Sequence, residues 1–215
     1  RCAVKLLLYI IGCAFFALLD LSVGAFVIHI VGLASGEFFN AYQYLIGSFL
    51  AVLPDIDVIY LVFMAAKGTH VNHHELITHR PILVIPICVL VCWAIGGKIW
   101  GLIGGVCVLW HYLHDIEDLL GGGIALFWPL SSKYHSIRRI ITPEQSTMNI
   151  THNVALETTT LRPSKKAVIE TSISTILLAV VVGNKISIAM ATAIAVFIWL
   201  SLVSVWIVFG KIKQT

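Results

Sequence analysis

The chain has 215 residues, 59% of them hydrophobic and 12% charged, and its mean hydropathy of +0.95 excludes a soluble domain, in which about 25% of residues carry charge. The net charge of +3 includes no basic, aromatic-interleaved patch, which argues against a nucleic-acid partner. The cysteines form no Cys-x-x-Cys pair, so they are expected as small core residues rather than as a disulfide or thiolate-metal framework.

Apolar runs lie near residues 3 to 19, 21 to 36, 42 to 66, 81 to 97, 99 to 116, 168 to 183 and 186 to 209. Several approach the length of about 20 residues that a spanning helix needs. The expectation is an all-α, polytopic membrane helical bundle of about six or seven transmembrane helices with a cytoplasmic polar loop. The first run follows Arg1 and Lys5 with no small-residue cleavage site ahead of a soluble domain, so it reads as a membrane helix rather than a signal peptide. Lys67, Arg80, Lys133, Arg138, Arg139, Arg162, Lys165, Lys166, Lys211 and Lys213 fall on one face, whereas Lys98 and Lys185 fall on the other. The first face is therefore expected to be cytoplasmic, in a plasma (inner) membrane. The divisions expected are 1–24, an N-terminal membrane helix; 25–135, a membrane-embedded core; 136–167, a cytoplasmic loop; and 168–215, a C-terminal transmembrane hairpin.

Residues 3 to 36 are too long for one ordinary span, so a break is expected near Asp20 to Gly24. His29 would then lie near the start of a second, short helix, where an ionisable group at membrane depth points to function. The next run enters Leu53-Pro54-Asp55-Ile56-Asp57. Pro54 disfavours helix there, and in an extended segment Asp55 and Asp57 would share a side. Two carboxylates side by side call for a cation, although a capping and an interfacial aspartate is the plainer alternative.

Thr69 to Arg80 holds His70, His73, His74, Glu75 and His79. Imidazoles so dense suit zinc or a similar transition metal better than calcium or magnesium. Arg80 is a candidate for an anionic substrate or for lipid headgroups. An antiparallel helical hairpin, turning at Gly96-Gly97-Lys98, should return the chain to the same face at Trp110 to Asp118. There His111 and Asp115 are one helical turn apart, as are His114 and Asp118, and spacing alone leaves both pairs open as metal ligands. Ile140 to Thr142 and Thr158 to Leu161 are candidates for short paired strands, and His135 and His152 for solvated positions.

Taken in order, His29, Asp55-Ile56-Asp57, His74 to Thr78-His79, and His111 with Asp115, followed by glycine and Trp128-Pro129, carry a resemblance. Over residues 25 to 135 the chain resembles the YdjM-like family of LexA-regulated inner-membrane metal-dependent hydrolases. The resemblance implies a polar centre of His29, Asp55, Asp57, His74, His79, His111 and Asp115, and it selects His111 with Asp115 over His114 with Asp118. Departures from the family pattern are Glu75-Leu76 where Arg-Gly is frequent, Arg80 where Ser is frequent, and Asp118 where Thr is common. The His-x-x-x-Asp element with an upstream Asp is also similar to the ligand set of zinc-dependent phospholipases C, by analogy.

The function expected is hydrolysis by a metal-activated water, of a phosphoester or phospholipid, at the cytoplasmic membrane face. Asp57 and His74 are the expected catalytic groups and Arg80 the substrate contact. The cofactor expected is a divalent metal, zinc or manganese, with more than one ion because the candidate ligands exceed what one tetrahedral zinc uses. The alternative is a metal-ion or proton transporter built on the same Asp/His cluster. The expected partners are the lipid bilayer and that substrate.

Overall fold

No proline or competing turn signal interrupts the first apolar stretch, and it forms one helix, α1 (Cys2–Ser35). The expected break near Asp20 to Gly24 is absent. Ser22 sits within the helix with its hydroxyl donated to the Leu18 carbonyl at 2.7 Å, and Gly24 serves close packing. A Cβ at Gly24 would run into the Gly47 carbonyl on the next helix, so glycine lets the two backbones touch. Gly36, at φ 74°, ends α1.

This computed structural model describes residues 2–57, 59–60, 63–64, 71–116, 123–137, 140–145 and 165–183, with side chains from Ala17 onward except at 73, 141 and 165–168. The run 186–209, with its expected membrane helix, lies outside the described residues. So do Lys67, His70, Asp118, Arg138, Arg139, His152, Thr158 to Leu161, Arg162, Lys185, Lys211 and Lys213. The chain divides into two units, one of Arg1–Ser48 with Glu157–Thr215 and one of Phe49–Leu156.

In the first unit α1 leads to α2 (Ala41–Ala51), which opens on a reciprocal cap. Asn40 Oδ1 accepts from the Gln43 amide at 3.1 Å, and Gln43 Oε1 accepts from the Asn40 amide at 2.7 Å. The apolar run expected over 42 to 66 thus gives an α-helix that stops at Ala51, just before Pro54. At about 1.5 Å per residue it is too short to cross a bilayer. In the same unit a later helix, Lys165–Gly183, packs against α1. It buries Glu170, Thr171 and Ser174, with the Ser174 hydroxyl donating to the Glu170 carbonyl at 2.8 Å.

The second unit is built around α3 (Pro81–Asp115), which starts on Pro81 and leaves helical geometry at Gly97 (φ 80°, ψ −173°). That residue is the hairpin turn. Cβ positions at Gly101, Gly104 and Gly105 on the second arm face Trp93, the Cys88 and Cys92 thiols, and Val89 on the first, so the arms run antiparallel. Cys88, Val108, Tyr112 and Ile124 form a buried cluster, with Leu50, Val84 and Ile116 against it. The outer face is equally apolar, with Ile87, Leu90, Ile95 and Leu102 exposed, as expected of a helix pair solvated by lipid.

Among the described residues two helical stretches are long and apolar enough to cross a membrane, Ala17–Ser35 and Pro81–Asp115, the second folded back on itself at Gly97, and Ile169–Gly183 is a shorter apolar helix. The described residues therefore show a mostly helical membrane protein, not six to seven spanning helices. Beyond the hairpin, β1 (Tyr134–His135) pairs antiparallel with β2 (Ile140–Ile141). Ile140 thus pairs with a strand nearer in sequence than the Thr158 to Leu161 partner expected for it. His135 is half-buried rather than solvated, edge-on to the Phe127 ring at 5.1 Å.

Candidate metal centre

Pro54 converts the end of α2 into a 3₁₀ turn, Leu53–Asp57, rather than the extended segment expected. At three residues per turn, positions two apart diverge by about 240°. Asp55 and Asp57 therefore do not sit side by side. They approach one imidazole from its two nitrogens: Asp55 Oδ1 lies 3.4 Å from His79 Nε2, and Asp57 Oδ2 lies 3.1 Å from His79 Nδ1.

His79 is delivered by two further 3₁₀ turns, His73–Glu75 and Ile77–His79. Asn72 starts the first, its carbonyl accepting from the Glu75 amide at 3.1 Å and its Oδ1 from the His74 amide at 3.0 Å. The second turn is tied to the hairpin by Tyr112, whose hydroxyl donates to the Thr78 carbonyl at 2.6 Å. Thr78 in turn donates its hydroxyl to Asp57 Oδ2 at 2.6 Å.

The second hairpin arm ends on His111 and Asp115, one turn apart and facing inward. Asp115 Oδ2 lies 3.2 Å from His111 Nε2 and 3.5 Å from His79 Nε2, and Asp55 Oδ1 lies 3.4 Å from His111 Nε2. Two carboxylate oxygens and two imidazole nitrogens thus alternate around a common centre, separated by 3.2 to 3.5 Å. A tetrahedron of ligands about 2.1 Å from an ion has edges of about 3.4 Å. The donor set and its spacing therefore fit a divalent transition metal. The cluster is also buried: side-chain exposure is 0% at His79, 1% at His111, 16% at Asp115 and 27% at Asp55.

Electrostatics agree with the geometry. Burial alone would lower the His79 pKa, but hydrogen bonds to Asp55 and Asp57 and the Asp115 charge overcome it and hold the imidazole at about 9. The carboxylates thus favour positive charge at this ring, whether it comes from a proton or a metal. His74 behaves oppositely, with its pKa lowered by burial. Its Nδ1 donates to the Gly123 carbonyl at 2.7 Å, and its ring stacks on His79 at 5.3 Å.

Asp55, His79 and His111 form one potential metal-holding group, and His74, His79 and Asp115 form another, the ligand atoms of each lying within 4.8 Å of one another. The structure thus gathers these five residues, with Asp57 beside His79. His29 lies in the first unit, where its Nδ1 is 3.3 Å from the Tyr44 hydroxyl. His114 turns away and stacks on Trp110 at 6.3 Å. Arg80 is buried: Nη2 donates to the Glu75 carbonyl at 2.7 Å, and the guanidinium lies over the Trp128 and Tyr134 rings at 5.6 and 5.8 Å. Its visible work is to pin the histidine loop to the segment after the hairpin.

Sequence reasoning named Thr78 only within the Thr78-His79 motif, without a role, and did not single out Tyr112 or the Gly123 carbonyl. Thr78 stands next to a proposed ligand, which is a usable signal. The other two reach the site only through tertiary packing.

Nothing among curated proteins and nothing among solved structures matches this chain. The YdjM inner membrane protein family matches it over residues 20–211, a stretch that contains α2, the histidine loop and the hairpin. The chain therefore belongs to the YdjM inner membrane protein family.

Proposed function

We propose that this protein is a membrane-bound metal-dependent hydrolase that acts on a phosphoester, with a phospholipid as the first candidate, at the cytoplasmic headgroup level. The observation that carries this reading is the alternating ring of Asp55, His79, Asp115 and His111 donors at 3.2 to 3.5 Å. A bound zinc or manganese ion would supply Lewis acidity and lower the pKa of a water it holds. His74, whose Nδ1–H is committed to Gly123, offers Nε2 as a proton acceptor. Asp57 is the other candidate acceptor, and its Oδ1 is buried and accepts no hydrogen bond among the described residues. A substrate anion at Arg80 would have to compete with the Glu75 carbonyl.

Placement favours hydrolysis over transport. The donors come from the end of the Pro81–Asp115 hairpin and from the turns preceding it, so they gather at one end of the hairpin rather than through its depth. A transport pathway needs polar groups spread across the membrane. The positive-inside bias supports a cytoplasmic location for that end, with Lys98 at the opposite turn.

The test is hydrolysis of a panel of phosphomonoesters, phosphodiesters and phospholipids by detergent-purified protein, with and without zinc or manganese, beside His111→Ala. Metal-dependent turnover lost in the variant supports the reading. Bound metal without turnover on any ester, together with metal uptake by proteoliposomes, would favour the transporter.

A further inference from the structure

The two potential metal-holding groups share one residue, His79. In both it is Nε2 that faces the carboxylates, Asp55 Oδ1 at 3.4 Å and Asp115 Oδ2 at 3.5 Å. The other nitrogen is spoken for. Thr78 has a single hydroxyl hydrogen, which goes to Asp57 Oδ2 at 2.6 Å. Nδ1 of His79, 3.1 Å from that same oxygen, must therefore bring its own proton. Nε2 is left with the one lone pair of a neutral ring, and one lone pair serves one ion.

We propose that the centre holds a single ion, and that Asp57 with Thr78 positions His79 for it rather than ligating it. The proposal rests on the metal-dependent reading above and departs from the expectation of more than one ion. Without His79 the second group keeps only His74 and Asp115, too few for a site of its own. Asp57 belongs to neither group. Its carboxylate takes the place of the outer partner that a metal-bound histidine usually has, fixing the tautomer and the ring orientation. His74 then stands beside the ion with its own ring locked by Gly123.

The experiment is titration of the full-length, detergent-purified apoprotein with Co²⁺, read by visible d–d absorption and by equilibrium stoichiometry. The wild type should saturate at one ion per chain. Asp57→Asn keeps an acceptor for the imidazole N–H, so it should keep one ion and the same band pattern with affinity weakened by about 10- to 100-fold. Asp57→Ala should weaken it further. Thr78→Val should weaken binding and Thr78→Ser restore it, with helical circular dichroism unchanged, an effect that a merely structural role would not produce. Saturation at two ions would overturn the proposal and make Asp57 Oδ1 a ligand of the second. A changed band pattern in Asp57→Asn would overturn the positioning role. No Co²⁺ bound by folded wild type would overturn the metal-dependent reading itself, and this proposal with it.

Discussion

Nδ1 of His79 lies 3.1 Å from Oδ2 of Asp57, inside a cluster where the histidine side chain is 0% and the aspartate side chain 6% exposed. The pair forms the inner wall of the candidate centre, and the opposite edge of the same ring faces Asp55, Asp115 and the space between them. Much of what the protein does should therefore depend on how firmly this ring is held.

Removing His79 leaves Asp57 buried without its cationic partner and takes away a donor common to both metal-holding groups. Loss of one member of a buried ion pair costs about 3 to 5 kcal/mol. His79→Ala should lower the thermal midpoint in detergent and abolish metal binding, whereas His114→Ala, on the Trp110 side of the helix, should change neither. Differential scanning calorimetry with metal analysis checks both.

Tyr112 joins the hairpin to the histidine loop through one hydrogen bond of 2.6 Å to the Thr78 carbonyl. Tyr112→Phe keeps the packing and removes the bond, at a cost of about 1 kcal/mol. Stability should fall modestly. Amide hydrogen exchange should quicken over residues 76 to 80 before it does in the hairpin arms.

Two glycines with positive φ give contrasting expectations. Gly97 has φ 80° and open space around its Cβ position, whereas Gly123 has φ 61° and a Cβ position 2.8 Å from the His135 carbonyl oxygen. Gly97→Ala should cost only backbone strain, about 1 kcal/mol. Gly123→Ala adds a collision with backbone and displaces the carbonyl that locks His74, so it should cost more and weaken metal binding. Paired denaturation curves and Co²⁺ titrations separate the two.

Orientation is testable by labelling. Ile77→Cys, at the metal end and exposed, should react with an impermeant maleimide only when the cytoplasmic face is opened. Lys98→Cys at the hairpin turn should react from the other side in intact cells. Reversed reactivity would place the centre outside the cytoplasm.

The membrane class was legible because hydropathy is a property of composition. The chemistry was legible because Asp55, His79, His111 and Asp115 are costly in an apolar chain without a purpose. The hairpin turn was legible too, since Gly96-Gly97-Lys98 allows little else. Local spacing failed where tertiary packing decided. Gly24 read as a break but is a contact surface for Gly47. Asp55 and Asp57 read as parallel carboxylates, whereas a 3₁₀ turn splays them to either side of His79. His111 and His114 are equivalent in sequence, and only the fold turns one inward and stacks the other on Trp110.

The most direct test of a single-ion metal centre is elemental analysis of the full-length protein purified in detergent, beside the Asp55→Ala, His79→Ala, Asp115→Ala triple variant. The account predicts one zinc or manganese ion per chain in the wild type and none in the variant, with both proteins helical by circular dichroism. Wild-type protein that remains metal-free after resupply with zinc and manganese would contradict it.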